Sequence, residues 1–413
     1  MADYYGTIAA IRSLGRAGVP VHVAEPQWLA PGRWSRYATR TSRCPPIEDR
    51  PDRFLDWLVK AGEREPGRVL LPTNDETAWF FARHRETLDR HFRVGVPPFE
   101  TVDRLLNKLR LACACAEVGM PVPPTWCAGS DDDVARLQRT ARFPVLVKAQ
   151  TQVFLQPHLK GLVAEEPATL PRRVADFVHS TRYGRPLLDH DPASVRPLVQ
   201  AFADGASGVY GLSGFVDATG EHFVAIASRK VLQRPPKAGV GLCFEEAVVR
   251  PELAERLARL CRHVGFHGVF EAEFLEIEGR HLLIDFNPRF YGQMALDVDR
   301  GLDLPRLAYL DAMGDGPGVA ELVAQARRNV AGSPPRVWCN SIHLRMHLAL
   351  GRGSRAMSAR EARRWRSWRQ THRGHVTDAV ASEGDPGPAL AEGVRTLWLL
   401  LLHPRALLRE VRR

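Results

Sequence analysis

Apolar and polar residues alternate along this chain in two rhythms, one of three to four residues and one of two, and the switches between them mark its elements. Gly6 to Gly18 repeats at the helical spacing, with Ile8, Ile11, Leu14 and Ala17 on one face and Gly18 past the end. VPVHVAE (19–25) reads as a short buried strand, Phe54 to Ala61 as an amphipathic helix, and Arg68 to Pro72 as another strand. A helix from Glu76 to Arg90 follows, with Thr73, Asn74 or Asp75 placed to cap it, and Phe92 to Val96 is a strand closed by two prolines. This strand–helix–strand order predicts a parallel sheet over residues 1–100. Such a unit ordinarily opens on a strand, so the pattern expects one ahead of the first helix.

Farther on, Thr101 to Gly119 predicts one helix stopped by Gly119 and Pro121, and Asp131 to Ala141 another. FPVLVKA (143–149) is a buried strand with Lys148 at its end, and Gln150 to Lys160 reads as a loop or weak hairpin ending at Gly161. Pro171 to Arg182 is helical, PLVQAF (197–202) is a strand, and Val209 to Val216 with His222 to Ser228 forms a hairpin. RKVLQRPPKAGVG (229–241) reads as a basic loop stiffened by Pro235 and Pro236, with Gly239 and Gly241 allowing close backbone approach. Pro251 to Val264 is a helix. After Gly314 to Gly318 the composition shifts to Arg, Trp and Leu, which predicts a boundary there.

The stretch Gly268 to Gly292 is the most informative. Phe270, Ala272 and Phe274 alternate with Glu271, Glu273 and Leu275; Leu282, Ile284 and Phe286 alternate with Leu283, Asp285 and Asn287. A three-residue loop at Glu278-Gly279-Arg280 sets Glu273 opposite Asp285 and Glu271 opposite Asn287. Like charges facing each other across a ladder destabilise it, so this face calls for a cation, and oxygen ligands of this kind suit Mg²⁺. A solvated polar face is the plainer alternative.

Composition adds bounds. The 413 residues, 45% hydrophobic and 25% charged, are those of a globular protein of two or three domains. The amino terminus has no basic head and apolar run, the longest apolar run (Leu397 to Leu402) is too short to span a bilayer, and seven scattered cysteines suit a reducing compartment; a cytoplasmic protein is expected. The net charge of +10 is concentrated toward the end of the chain, in GRGSRAMSAREARRWRSWRQTHRGH. No RNA-binding or zinc-finger spacing accompanies it; anionic small substrates explain the charge equally well, and no nucleic acid partner is expected. No GxxxxGK[ST] phosphate loop and no GxSxG elbow occurs.

In order along the chain, LPTNDE, LLNKLRLACACAEVGMPVP, FPVLVKA, LVQAFADG, RKVLQRPPKAGVG and the hairpin ending IDFNPR resemble the ATP-grasp ligases, in particular the carboxylate–amine ligase branch that includes D-aspartate ligases. The resemblance spans about Thr7 to Gly314. It implies an α/β chain: an N-terminal parallel-sheet pre-ATP-grasp domain (1–100), an α+β ATP-grasp domain (101–315), and a basic, largely helical C-terminal segment (316–413). It also implies ATP and Mg²⁺ as cofactors, small-molecule carboxylate and amine substrates, and an amide made through an acyl-phosphate; a homodimer is compatible with it. Lys108 and Lys148 would then contact nucleotide phosphates, as suits a flexible point charge. Gln200, Phe202, Ala203 and Asp204 would form the adenine-side hinge, Phe202 beside the ring. Glu273, Asp285 and Asn287 would hold Mg²⁺, and Arg289 would meet the acyl-phosphate or the carboxylate. Arg229 and Lys230 would neutralise the transferring phosphoryl group. Departures are Gln200 or Ala201 where the family often has Glu, Ser207 where an acid often meets ribose, and a lid reduced to Lys160-Gly161. Two rival readings remain open: a nucleotide-binding or regulatory protein on the same scaffold, and a basic module for membrane or nucleic acid driven by residues 351–413.

Overall fold

The computed structural model describes residues 4–157, 159–203, 205–234, 240–353 and 357–402. They fall into two units whose segments interleave along the chain: one of Met1–Cys44, Ile226–Val248 and Phe290–Arg413, the other of Pro45–Ala225 and Val249–Arg289.

In the first unit the helix Tyr5–Arg16 buries Ile8, Ile11 and Leu14, as its spacing predicts. His22–Ala24 pairs in parallel with Arg40–Ser42. From Ala227 onward the strand Phe223–Arg234 runs antiparallel to Val240–Ala247, which pairs with Val337–Cys339; Val376–Asp378 lies parallel to the last of these. The core behind it holds Leu232, Cys243, Cys339, Leu344 and Trp365. The two late strands carry only three residues each, too few for a period-two signal, and sequence pattern did not show them.

In the second unit Arg68–Leu70 and Phe92–Val94 pair in parallel. The parallel pairing expected of residues 1–100 is therefore present in two separate two-stranded pieces. An antiparallel four-stranded sheet has the order Thr125–Cys127, Leu198–Ala201, Val145–Lys148, Leu162–Ala164. Val145, Val147 and Val199 seat it on the helices Asp131–Thr140 and Leu170–Ser180, through Leu137, Val174 and Phe177. Beside this, Gly268–Ile277 is sandwiched between Gly208–Val216 and Arg280–Asn287, all antiparallel.

Three expectations need correction. The stretch Thr101 to Gly119 is two helices, Phe99–Leu106 and Lys108–Glu117, because Asn107 is extended and caps the second through its side-chain oxygen. The supposed loop from Arg229 to Arg234 is strand: Arg229 faces Glu245 and Lys230 faces Phe244. Pro235, Pro236, Lys237 and Gly239 lie outside the described residues. Gly241 does allow close approach, since a Cβ there would sit 2.3 Å from the Phe244 ring. Finally, the hairpin turn has two residues, Glu278 and Gly279, both at positive φ (50° and 76°), the mirror-image turn that suits a twisted hairpin. Ile277 faces Arg280, one step out from the expected register, and a bulge between the Glu273 and Phe274 pairs restores it. Glu273 thus faces Asp285, and Glu271 faces Asn287, as expected, while Leu283 rather than Ile284 comes opposite Phe274.

Candidate functional site

The second unit brings the hairpin acids and both predicted phosphate lysines together. The break at Asn107 makes this possible. Asn107 accepts the amides of Leu109 and Arg110, and its Nδ2 donates to Gln150 Oε1 (3.4 Å) and Ser194 Oγ (3.3 Å). The Lys108 amide donates to the Gln150 carbonyl at 2.7 Å. Gln150 stands two residues past Lys148, so the start of one helix is tied to the end of the strand carrying the second lysine. The apolar spacing runs on through Asn107 and hides the break, although an Asn inside a helical pattern is itself a cap signal. At the far end of this helix, the Leu283 amide donates to the Pro121 carbonyl (2.8 Å), fixing the hairpin alongside.

Lys108 Nζ forms an ion pair with Asp285 Oδ1. Partial burial works against the Asp285 charge, but Lys108, Lys160 and Lys148 outweigh it and hold the carboxyl below its ordinary pKa. Lys148 is itself buried, 7% exposed, and burial drives its pKa down to about 7, aided by repulsion from Lys108 and Lys160 and opposed by Asp285. Among the described residues no hydrogen bond or ion pair holds the Lys148 ammonium. Lys108 touches Asp285, and the charges of Lys148 and Lys160 act on the same carboxyl. Such a place suits a polyphosphate. Lys160, exposed beside Gly161, belongs to this group.

On the same face Asn287 Nδ2 donates to Glu271 Oε2 (3.0 Å), and Arg289 Nη2 donates to Asn287 Oδ1 (2.8 Å). Arg289 Nε reaches Asp75 Oδ1 at 2.8 Å. Asp75 opens the helix Asp75–Arg83, which Asn74 caps in a reciprocal box with Thr77. Its neighbour Glu76 is buried; burial and the Asp75 charge raise its pKa to about 7, with Glu48 adding and Arg289 opposing. Arg289 therefore stands between the Asn287 amide and a pair of acids brought from residues 75–76.

Among the described residues no three His, Cys, Asp or Glu side chains form a ready metal cage. The facing carboxylates of Glu273 and Asp285 are nonetheless the donor set Mg²⁺ takes when phosphate oxygens complete its shell. Along Leu198–Ala201, Gln200 Nε2 donates to Thr125 Oγ1 (2.8 Å), and the Ala201 and Phe202 amides donate to the carbonyls of Pro124 (2.8 Å) and Pro144 (3.2 Å). The Ala203 amide has no backbone partner among the described residues. Asp204 lies outside them. Ser207 gives both its amide and its hydroxyl to the Glu276 carbonyl (2.8 and 3.1 Å). Arg229 and Lys230 belong to the first unit, where Lys230 Nζ lies 5.9 Å from the centre of the Phe244 ring.

No family model matches this sequence, and no curated protein matches it. Solved structures do. The biotin carboxylase of Campylobacter jejuni, in its β-γ-ATP complex, superposes with a TM-score of 0.61 at 15% identity, over 75% of this chain and 69% of that one. The biotin carboxylase domain of the 2-oxoglutarate carboxylase of Hydrogenobacter thermophilus gives 0.59 at 15% identity, over 75% and 68%. The N5-carboxyaminoimidazole synthetase of Staphylococcus aureus gives 0.55 at 14% identity, over 75% and 74%. These are ATP-grasp enzymes, and this chain has the ATP-grasp fold.

Proposed function

We propose that the protein is an ATP-dependent carboxylate–amine ligase of the D-aspartate ligase type. The observation that carries this reading is the convergence of Lys108, Lys148 and Lys160 on Asp285, itself opposite Glu273. Lys108 in contact with Asp285, with Lys148 and Lys160 near enough to act on its charge, makes a place that suits an anion of higher charge than a single acid. Support also comes from the neighbours of the same fold, which were solved with β-γ-ATP and with MgADP. The functional division we propose is a substrate-selecting domain (1–100), a nucleotide domain (101–315) and a C-terminal segment (316–413).

In this reading Lys108 and Lys148 bind the phosphates, with Lys160 covering them from its exposed segment. The Ala203 amide and the Phe202 side chain receive the adenine, and Asp204 the ribose. Glu273, Asp285 and the Asn287 amide oxygen would hold Mg²⁺, which when bound neutralises phosphate oxygens during transfer. Arg289 orients the substrate carboxylate so that one oxygen attacks the γ-phosphorus and ADP departs. The amine then attacks the acyl carbon, phosphate leaves, and an amide remains. Glu76, poised near neutral pH beside Asp75, can take the proton that the attacking amine gives up.

The test is ADP release from MgATP across a panel of amino acids and other carboxylates. The proposal expects a pair of substrates that stimulates release, and loss of that release in Glu273→Ala and Asp285→Ala. Unchanged turnover in either variant removes the metal assignment. Tight MgATP binding with no ADP from any pair favours a regulatory protein on this scaffold.

A further inference from the structure

The helix Gly387–Leu402 of the first unit is turned the wrong way round for a helix of a soluble protein. An amphipathic helix ordinarily faces its large apolar residues to the core. Here Pro388, Ala391 and Glu392 are the buried positions, and on the same side farther along Leu399 and Leu402 are exposed as well. Glu392 is fully enclosed and is paired with His343 and Arg395, each at 3.0 Å. Leu390, Val394, Leu397, Trp398 and Leu401 share the opposite face, and all are exposed, Leu390 by 69% and Leu401 by 77%. At the start of the helix, Gly387 lies against the Trp34 backbone, and Trp34 and Trp28 are exposed too, edge to face at 5.6 Å. A continuous apolar face of this kind marks an interaction site.

The charge of this part of the chain says what it meets. Residues 351–413 contain thirteen arginines, no lysine and six acids, which accounts for most of the net +10. Two of the acids, Asp385 and Glu392, are buried and already paired, Asp385 with Arg12 at 2.9 Å. On the helix Ala359–Thr371, Arg360, Arg363, Arg364 and Arg366 are exposed. A second copy of the chain would bring the same positive charge against this face. A negatively charged lipid surface would complement it, and an exposed Leu/Trp stripe in an arginine-rich segment of the chain suits an in-plane interfacial helix. We propose that Gly387–Leu402 lies in the surface of an anionic bilayer and holds the protein there as a peripheral protein. Among the described residues no helix is long and apolar enough to cross a membrane.

The full-length protein should sediment with vesicles of phosphatidylcholine and phosphatidylglycerol, and at least about tenfold less with phosphatidylcholine alone. Leu397→Glu combined with Leu401→Glu should abolish binding while leaving the Tm unchanged, since neither side chain is buried. Trp398→Phe should bind as wild type does yet lose much of the fluorescence quenching by brominated lipid. Absence of vesicle binding by the wild type overturns the proposal, as does undiminished binding by the double glutamate variant. A dimer in solution that this variant dissolves, without vesicle binding, would assign the face to a second copy instead.

Discussion

Replacing Lys148 by Met removes one charge and little volume from a site where that charge is already under strain. The residue is 7% exposed, and burial first, then repulsion from Lys108 and Lys160, brings its pKa down to about 7. Near neutral pH the free protein is thus about half protonated at this lysine, while a bound polyphosphate requires the charged form. Above pH 7.5, where the nucleotide is fully ionised, wild-type affinity for MgATP should fall about 25-fold by pH 9, because the lysine must first take up a proton. A charge-assisted hydrogen bond of about 1.5–3 kcal/mol is lost in Lys148→Met, which weakens binding about 10- to 150-fold at pH 7. The variant's affinity should be flat from pH 7.5 to 9. Stability moves the other way. A lysine whose folded pKa is lowered disfavours the fold while the unfolded chain stays protonated, so wild-type stability rises with pH from about 7 toward the ordinary lysine range, and the variant loses that rise. Isothermal calorimetry across the pH series measures the first effect and thermal melts the second. A flat wild-type affinity, or a pH slope that survives in Lys148→Met, refutes the assignment of Lys148 to phosphate.

Arg289→Lys keeps the charge but loses the planar fork joining Asn287 and Asp75; carboxylate-stimulated ADP release should drop about 10²- to 10³-fold while MgATP affinity stays within about threefold, as a steady-state assay and a binding titration will show. Glu76 has a raised pKa, so the fold keeps its proton longer than the unfolded chain does, and stability is lost as pH climbs from the ordinary carboxylate range to about 7. In Glu76→Gln that loss should vanish from the melting profile between pH 5 and 7; an unchanged profile would contradict the cause given. Gly241→Ala forces a methyl to within 2.3 Å of the Phe244 ring, itself packed on Trp338, and should cost about 1–3 kcal/mol by denaturant titration.

Much of the candidate site was legible because it is local. The hairpin from Gly268 to Asn287 carries its period-two pattern within twenty residues, and the facing of Glu273 and Asp285 followed from it. The turn and the bulge were not legible, and they compensate: a two-residue turn shifts the register by one and the bulge shifts it back. What sequence pattern could not supply depends on partners distant in the chain. Arg229 and Lys230 look like loop residues until Glu245 and Phe244 pair with them. Glu76 reads as an ordinary first-turn acid, and only burial beside Asp75 and Arg289 changes its chemistry. The stripe Leu390, Val394, Leu397, Leu401 has core periodicity, yet Glu392 takes the buried place because His343 and Arg395 neutralise it. Apolar spacing reveals a helix face without saying which way it points.

In the proposed mechanism a substrate carboxylate is activated as an acyl-phosphate in the lysine-lined site. Its most direct test follows the carboxylate oxygen. With a panel of carboxylates labelled with heavy oxygen, MgATP and unlabelled amines, the phosphate released should carry one labelled oxygen per ADP formed, and Asp285→Ala should release none. ADP formation with unlabelled phosphate would contradict the claim.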